Sequence, residues 1–240
     1  MTVIEHLQRV AAASGRSGAA AAVADLATIA FFFLLRVGEY TMPPANRRTR
    51  TVQFRIQDVV FYRGGLIIPN SAPLASLLEA DGVALCIDNQ KNGTRGETTY
   101  QHALPGRLIS VTDALARRVA AVMAATGNEA SPISLLAAED NTTGHASAKM
   151  IRTAVRKAVR DLGLRRQGIK AEDVGSHSLR AGGAMAMKLN GCDMVQIMKA
   201  GRWTSLTFLT YIHNQIAHLG ANIGQRMATH VPFFSFGGVQ

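Results

Sequence analysis

Cysteine, tryptophan and acidic residues are all scarce in this chain of 240 residues. The two cysteines, Cys86 and Cys192, cannot build a disulfide framework and fit a reducing compartment. Set this far apart they supply no zinc motif, and each reads as a small buried apolar residue. The 16 Asp and Glu are scattered, which argues against the carboxylate cluster a two-metal nuclease needs. His213 and His218 are five apart, a poor spacing for one helical face, and no third ligand accompanies them. Long apolar runs are missing except one, Ala19 to Leu35, and that one carries Asp25 near its middle. A central Asp costs about 2.5–3.5 kcal/mol on insertion scales, and the run is short for a span. It predicts a buried core helix and no membrane anchor. The Arg- and Ala-bearing N-terminus weakly resembles a transit peptide, but Glu5 and Asp25 speak against one.

Positive charge is what the chain has in excess. Lys and Arg number 26, the formal net charge is +10, and the charge is clustered. A partner with dense negative charge is the natural inference, and nucleic acid leads. The apolar share of 48% supports a globular fold, and the length suits one substantial core or two small domains.

The patterning predicts an α+β protein that is mainly α, a helical body with a small antiparallel β-sheet in its first half. Residues 1–12 read as a helix, 12–18 as a break, and Ala19 to Leu35 as the next helix, closed by Arg36. A loop from Thr41 to Arg50 holds Pro43, Pro44 and the basic Arg47, Arg48 and Arg50. Val52 to Ile56 alternates like a strand, Val59 to Tyr62 is apolar, and Gly64-Gly65 turns the chain into Leu66-Ile67-Ile68. Gly82 to Asp88 and Glu97 to Ala103 read as a hairpin around Asn92 to Gly96, with Lys91 and Arg95 at its tip. From Ser110 onward the pattern is helical, Thr112 to Thr126 first, with Asn141 to Gly144 as a separator. The expected divisions are an N-terminal helical extension (1–18), a main domain (19–220) and a tail (221–240).

Residues 147–162 predict a helix with two opposed faces. Ile151, Val155, Ala158 and Leu162 form an apolar stripe, while Lys149, Arg152, Arg156 and Arg160 form a ridge with no acidic partner three or four residues on. Such a ridge suits phosphate-backbone contact, and charge alone cannot read base sequence. Arg165, Arg166 and Lys170 extend it.

The last third carries the chemistry-bearing set. His177 and Arg180 lie three apart on one helical face, Trp203 follows, and Tyr211 sits in a further helical stretch whose cap is Ser205. Upstream, Arg36 and Lys91 can complete the set. Breaking a DNA strand without metal needs an attacking oxygen, and nearby cations favour a phenolate. Two arginines can clamp the non-bridging oxygens in a way lysine cannot copy. A lysine can protonate the leaving sugar oxygen, and a histidine can hydrogen-bond the phosphate or move a proton. Gly182-Gly183 permits close backbone approach. Asp193 caps the helix Met194 to Ala200, which Gly201 ends.

At these residues the chain resembles the tyrosine recombinase (phage integrase) family. That pattern runs Arg-x-x-Glu, a hairpin Lys, His-x-x-Arg, His or Trp, then Tyr. Arg36 with Glu39, Lys91, His177 with Arg180, Trp203 and Tyr211 match it in order. Gly201-Arg202-Trp203-Thr204-Ser205 and Thr210-Tyr211-Ile212-His213 resemble the family's eukaryotic mobile-element branch. The match spans about residues 20–220. Trp203 precedes Tyr211 by eight residues, one fewer than in the commoner His form. The resemblance implies the DNA breaking-rejoining fold, site-specific recombination or integration through a 3′-phosphotyrosyl intermediate, and no metal or ATP. It also implies double-stranded DNA as the partner and a homo-tetramer on it, with the tail after Tyr211 docking on a neighbour. DNA contacts are expected at Arg47, Arg48, Arg95, Lys149, Arg152, Arg156, Arg160 and Arg202. The family's separate N-terminal DNA-clamping domain has no counterpart in these residues. The alternatives are a type IB topoisomerase, which shares the chemistry, and a non-catalytic or domesticated DNA-binding protein derived from a recombinase. The DNA partner implies a nucleus, or a bacterial cytoplasm.

Overall fold

The computed structural model describes residues 2–44, 51–87, 96–137, 143–205 and 209. Its first two helices are α1 (Thr2–Ala13) and α2 (Gly18–Phe32), and every residue of α2 from Ala21 to Phe31 is buried. A helix apolar on all sides has no solvent face to present, and α2 is accordingly surrounded. It packs against α1 and, further along the chain, against α5 (Val111–Thr126), α6 (Ala148–Asp161) and α7 (His177–Leu189). The single charge inside it is satisfied from both flanks. Asp25 Oδ1 accepts from Arg117 Nη2 of α5 at 2.6 Å and from Gln8 Nε2 of α1 at 3.1 Å. Ile4, Leu7 and Ala11 of α1 belong to the same core as α2, so this helix is part of the body rather than an extension from it.

The expected small sheet is present: β1 (Val59–Arg63), β2 (Leu66–Ile68), β3 (Gly82–Ile87) and β4 (Glu97–His102), all antiparallel, in the order β2-β1-β3-β4. Val59, Phe61, Val83, Leu85 and Ile87 turn into the core, as period-two alternation requires. The short helix α3 (Val37–Tyr40) precedes it in sequence, and α4 (Leu74–Leu78) joins β2 to β3. The chain is thus α+β and mainly α.

Three local expectations differ from what forms. Val52 to Ile56 joins no sheet. Its backbone bridges two other segments: Phe54 N–H donates to Glu39 O, and Ile133 N–H donates to Phe54 O, each at 2.8 Å. A two-stranded ribbon, β5 (Leu135–Ala137) with β6 (Thr143–His145), stands where the sequence suggested only a separator. The long apolar helix stops at Phe32, because Leu34 turns left-handed at φ 49° and Leu35 N–H reaches back to Ala30 O at 3.0 Å. Arg36 therefore lies in extended backbone and opens α3 rather than closing α2.

That turn is fixed by α7. A Cβ on Gly183 would lie 2.3 Å from Leu34 Cδ2 and 2.4 Å from Phe31 O, whereas one on Gly182 would meet Phe31 at an ordinary 3.6 Å. Only a glycine at 183 lets α7 sit this close to the end of α2. Gly183→Ala is expected to lower stability by about 1–3 kcal/mol in urea unfolding, and Gly182→Ala by clearly less. Equal costs at the two positions would contradict the close approach.

Candidate functional site

The turn after α2, the first half of α7 and the end of α8 (Met194–Gly201) bring cationic residues together from three distant stretches. Glu39 is their hub. Its Oε2 accepts the Arg36 amide at 2.7 Å and Arg202 Nη2 at 2.8 Å, and its Oε1 accepts Arg36 Nη1 at 3.3 Å. Both Glu39 and Arg202 are 4% exposed, so this bridge lies away from water. Burial pushes the Arg202 guanidinium below its ordinary value, Glu39 opposes that, and Arg36 adds to it.

Arg180 is the second tie. It is 2% exposed and donates through Nη1 to Leu34 O and through Nη2 to Gly201 O, each at 2.5 Å. Its guanidinium carbon lies 4.5 Å from the centroid of the Trp203 ring, a cation–π stack. One side chain thus joins α7 to the turn before Arg36 and to the last residue of α8. His177, one helical turn earlier, is exposed at the head of α7. Arg36 keeps 21% of its side chain exposed. Among the described members of the set, His177 is exposed, Arg36 and Trp203 are half-buried, and Arg180 is buried.

The end of α8 explains how Trp203 arrives. Asp193 and Gln196 cap the start reciprocally, at 2.9 and 2.7 Å. At the other end Trp203 N–H bonds to Met198 O and Arg202 N–H to Lys199 O, both at 3.0 Å. This is a Schellman closure, whose left-handed position is normally glycine. Here it is Arg202, at φ 55°, and not Gly201 as the sequence suggests. Gly201 is needed for another reason: a Cβ there would lie 1.8 Å from the Trp203 ring. Arg202 was expected to contact DNA. Its guanidinium is buried against Glu39, a placement that no local pattern reveals, because the partner is 163 residues away.

The basic ridge on α6 also divides. Lys149, Arg152 and Arg160 are exposed. Arg156 is half-buried and donates through Nε to Val174 O at 2.8 Å and through Nη2 to Glu172 O at 2.6 Å. It pins the segment leading into α7, so its guanidinium serves packing as well as charge. Asp161 pairs with Lys157 and His6, both off the ridge, and does not neutralise it.

Lys91, Arg47, Arg48, Arg95 and Tyr211, together with the tail, lie outside the described residues. Among the described residues no three His, Cys, Asp or Glu side chains gather where they could hold a metal ion. No described helix is long and apolar enough to cross a membrane. Two cavities are notable. One of about 650 Å³ lies between α1, α2 and α6, lined by apolar chains such as Leu7, Val23 and Ala154 together with His6, Lys149, Lys157 and Asp161. The other, about 330 Å³, adjoins the hub and is lined by Glu97, Val195, Met198, Lys199, Arg202, Trp203 and Thr204. No family model matches this chain, and no curated protein matches it.

Removing one partner of a buried ion pair costs about 3–5 kcal/mol. Glu39→Gln is expected to lower stability by that order in urea unfolding. In a double-mutant cycle with Arg202→Gly the two changes should couple by more than 1 kcal/mol. Additive effects would refute the Glu39 bridge.

Proposed function

We propose that this chain cuts and rejoins DNA strands through a covalent 3′-phosphotyrosyl intermediate on Tyr211, as its resemblance to tyrosine recombinases implies. The observation that carries the reading is the convergence, from three separate stretches, of Arg36 and Arg202 on Glu39, with Arg180 and its stacked Trp203 tied to the adjoining Leu34 and Gly201 carbonyls. A cationic cluster with an exposed imidazole beside it suits a phosphodiester whose charge rises as phosphorus becomes five-coordinate.

On this reading the Tyr211 oxygen bonds to phosphorus and the bond to the 5′ oxygen breaks. The leaving oxygen takes a proton from Lys91. His177, exposed at the head of α7, is available to accept the phenolic proton. Arg36 faces the non-bridging oxygens, while Arg180 and Trp203 hold the frame behind it. Rejoining reverses these steps: a 5′-hydroxyl of a second strand attacks the phosphotyrosyl bond and frees Tyr211. The phosphoester bond is conserved throughout, so the cycle needs no ATP. The exposed Lys149, Arg152 and Arg160 track the DNA backbone. A tetramer on paired duplexes follows from the same resemblance.

One observation favours a non-catalytic DNA-binding protein instead. Arg180 is buried and committed to two backbone carbonyls, so it acts as a strut in this conformation. Trapping on a nicked suicide duplex separates the two readings. Strand transfer expects a denaturation-resistant DNA adduct in the native chain, none in Tyr211→Phe, and a rate lower by about 10²–10³ in Arg36→Ala. Tight, salt-sensitive binding without any adduct would leave only the binding reading.

The ridge has its own test. Arg152→Ala and Arg160→Ala should each reduce the slope of log affinity against log salt by about 1. Lys157→Ala, whose ammonium is held by Asp161 at 2.6 Å, should change it less. Slopes unchanged in the two arginine variants would remove α6 from the interface.

A further inference from the structure

We infer that the cavity beside α8 is a seat for a phosphate group, with Arg202 as its anchoring cation. Two nitrogens of Arg202, Nε and Nη1, are buried without a hydrogen-bond acceptor among the described residues, and only Nη2 is engaged, by Glu39. Buried donors left unmade are costly, and those of a charged group more so. Arg202 also holds a left-handed backbone conformation at a helix end that glycine occupies at no steric cost. Positive φ and unmet buried donors coincide at Arg202, whereas Arg16 and Leu34 show only the first and Arg118 only the second. What these two donors lack is an acceptor, and an oxyanion would supply one.

The lining fits one. Arg202 and Lys199 bring two positive charges to the cavity wall and Glu97 brings one negative. Glu39 lies behind Arg202 and is itself shared with Arg36. The local balance favours a single compact oxyanion. The two spare donors are covered in the unliganded chain, so entry requires the lining to shift. Met198 and Lys199, long and unbranched, are the side chains that can yield. The phosphate is either free or carried on a DNA backbone, and only the second source rests on the strand-transfer reading. On that reading Arg202 adds a further phosphate contact from the α8 side, next to Trp203.

Trp203 lines the cavity and is the only tryptophan of the chain, so its fluorescence reports on the seat directly. Titration with inorganic phosphate at constant ionic strength should give a saturable change that sodium chloride does not give. Arg202→Gly relieves the backbone and removes the guanidinium, and it should weaken the response at least tenfold. Arg202→Asn, a second residue type tolerated in this conformation, should do the same, and Lys199→Ala should weaken it a few-fold. Circular dichroism identifies any variant that fails to fold, and Lys199→Ala on the exposed side then carries the comparison. No saturable response in the native chain, or an unchanged affinity in folded Arg202→Gly or Arg202→Asn, would overturn the seat. Tyr211→Phe should retain the phosphate response, so failure of strand transfer is read separately from failure of the seat. Loss of the phosphate response on adding saturating duplex DNA assigns the seat to backbone phosphate. Retention of the response with DNA bound assigns it to a free phosphate.

Discussion

One carboxylate holds the cationic hub together. Without Glu39, Arg36 and Arg202 would bring like charges into a poorly hydrated space, and the turn after α2 would lose its direct ion-pair tie to the end of α8. With it, the amide and guanidinium of Arg36 and the guanidinium of Arg202 share one acceptor group. Arg180 then ties α7 to the same two places through carbonyl oxygens, which carry partial charge and need no counter-ion. The arrangement concentrates three guanidinium groups for the cost of a single buried acid.

The chain repeats this local device. Arg55 and Asp58 form the same kind of turn, with the carboxylate accepting the Arg55 amide at 2.8 Å and its guanidinium at 3.1 Å. Among the described residues no second arginine pairs with Asp58, and that turn leads the chain into β1. An Arg-x-x-acid spacing is therefore a turn motif first. What makes Arg36 and Glu39 part of a candidate site is the third group that arrives from elsewhere. This is why the four residues of that spacing carry little meaning alone and gain it only beside His177, Arg180 and Trp203.

The sequence made the scaffold readable where periodicity was strong. The apolar run of α2, the two-faced α6 and the β3–β4 hairpin all follow from side-chain period and turn residues. It was unreadable where backbone bonds went to distant partners. Val52 to Ile56 alternates like a strand, yet its amides and carbonyls serve Glu39 and Ile133. At the site, the order of Arg36, His177, Arg180 and Trp203 was visible. The division of labour among the arginines was not: Arg202 and Arg180 are buried ties, Arg156 pins a loop, and Arg36 keeps a partly open face. Arginine is long enough to reach solvent, carbonyl or carboxylate from one backbone position, so its neighbours in space decide its task.

The separation along the chain of the paired groups has a kinetic consequence. Arg180 and Leu34 are 146 residues apart, and Arg202 and Glu39 are 163 apart. Contacts that close such long loops form late, after local helices and hairpins have consolidated. A ribosome-bound chain that has not yet released residues beyond 180 therefore lacks the two arginines that tie the turn after α2 to α7 and to the end of α8.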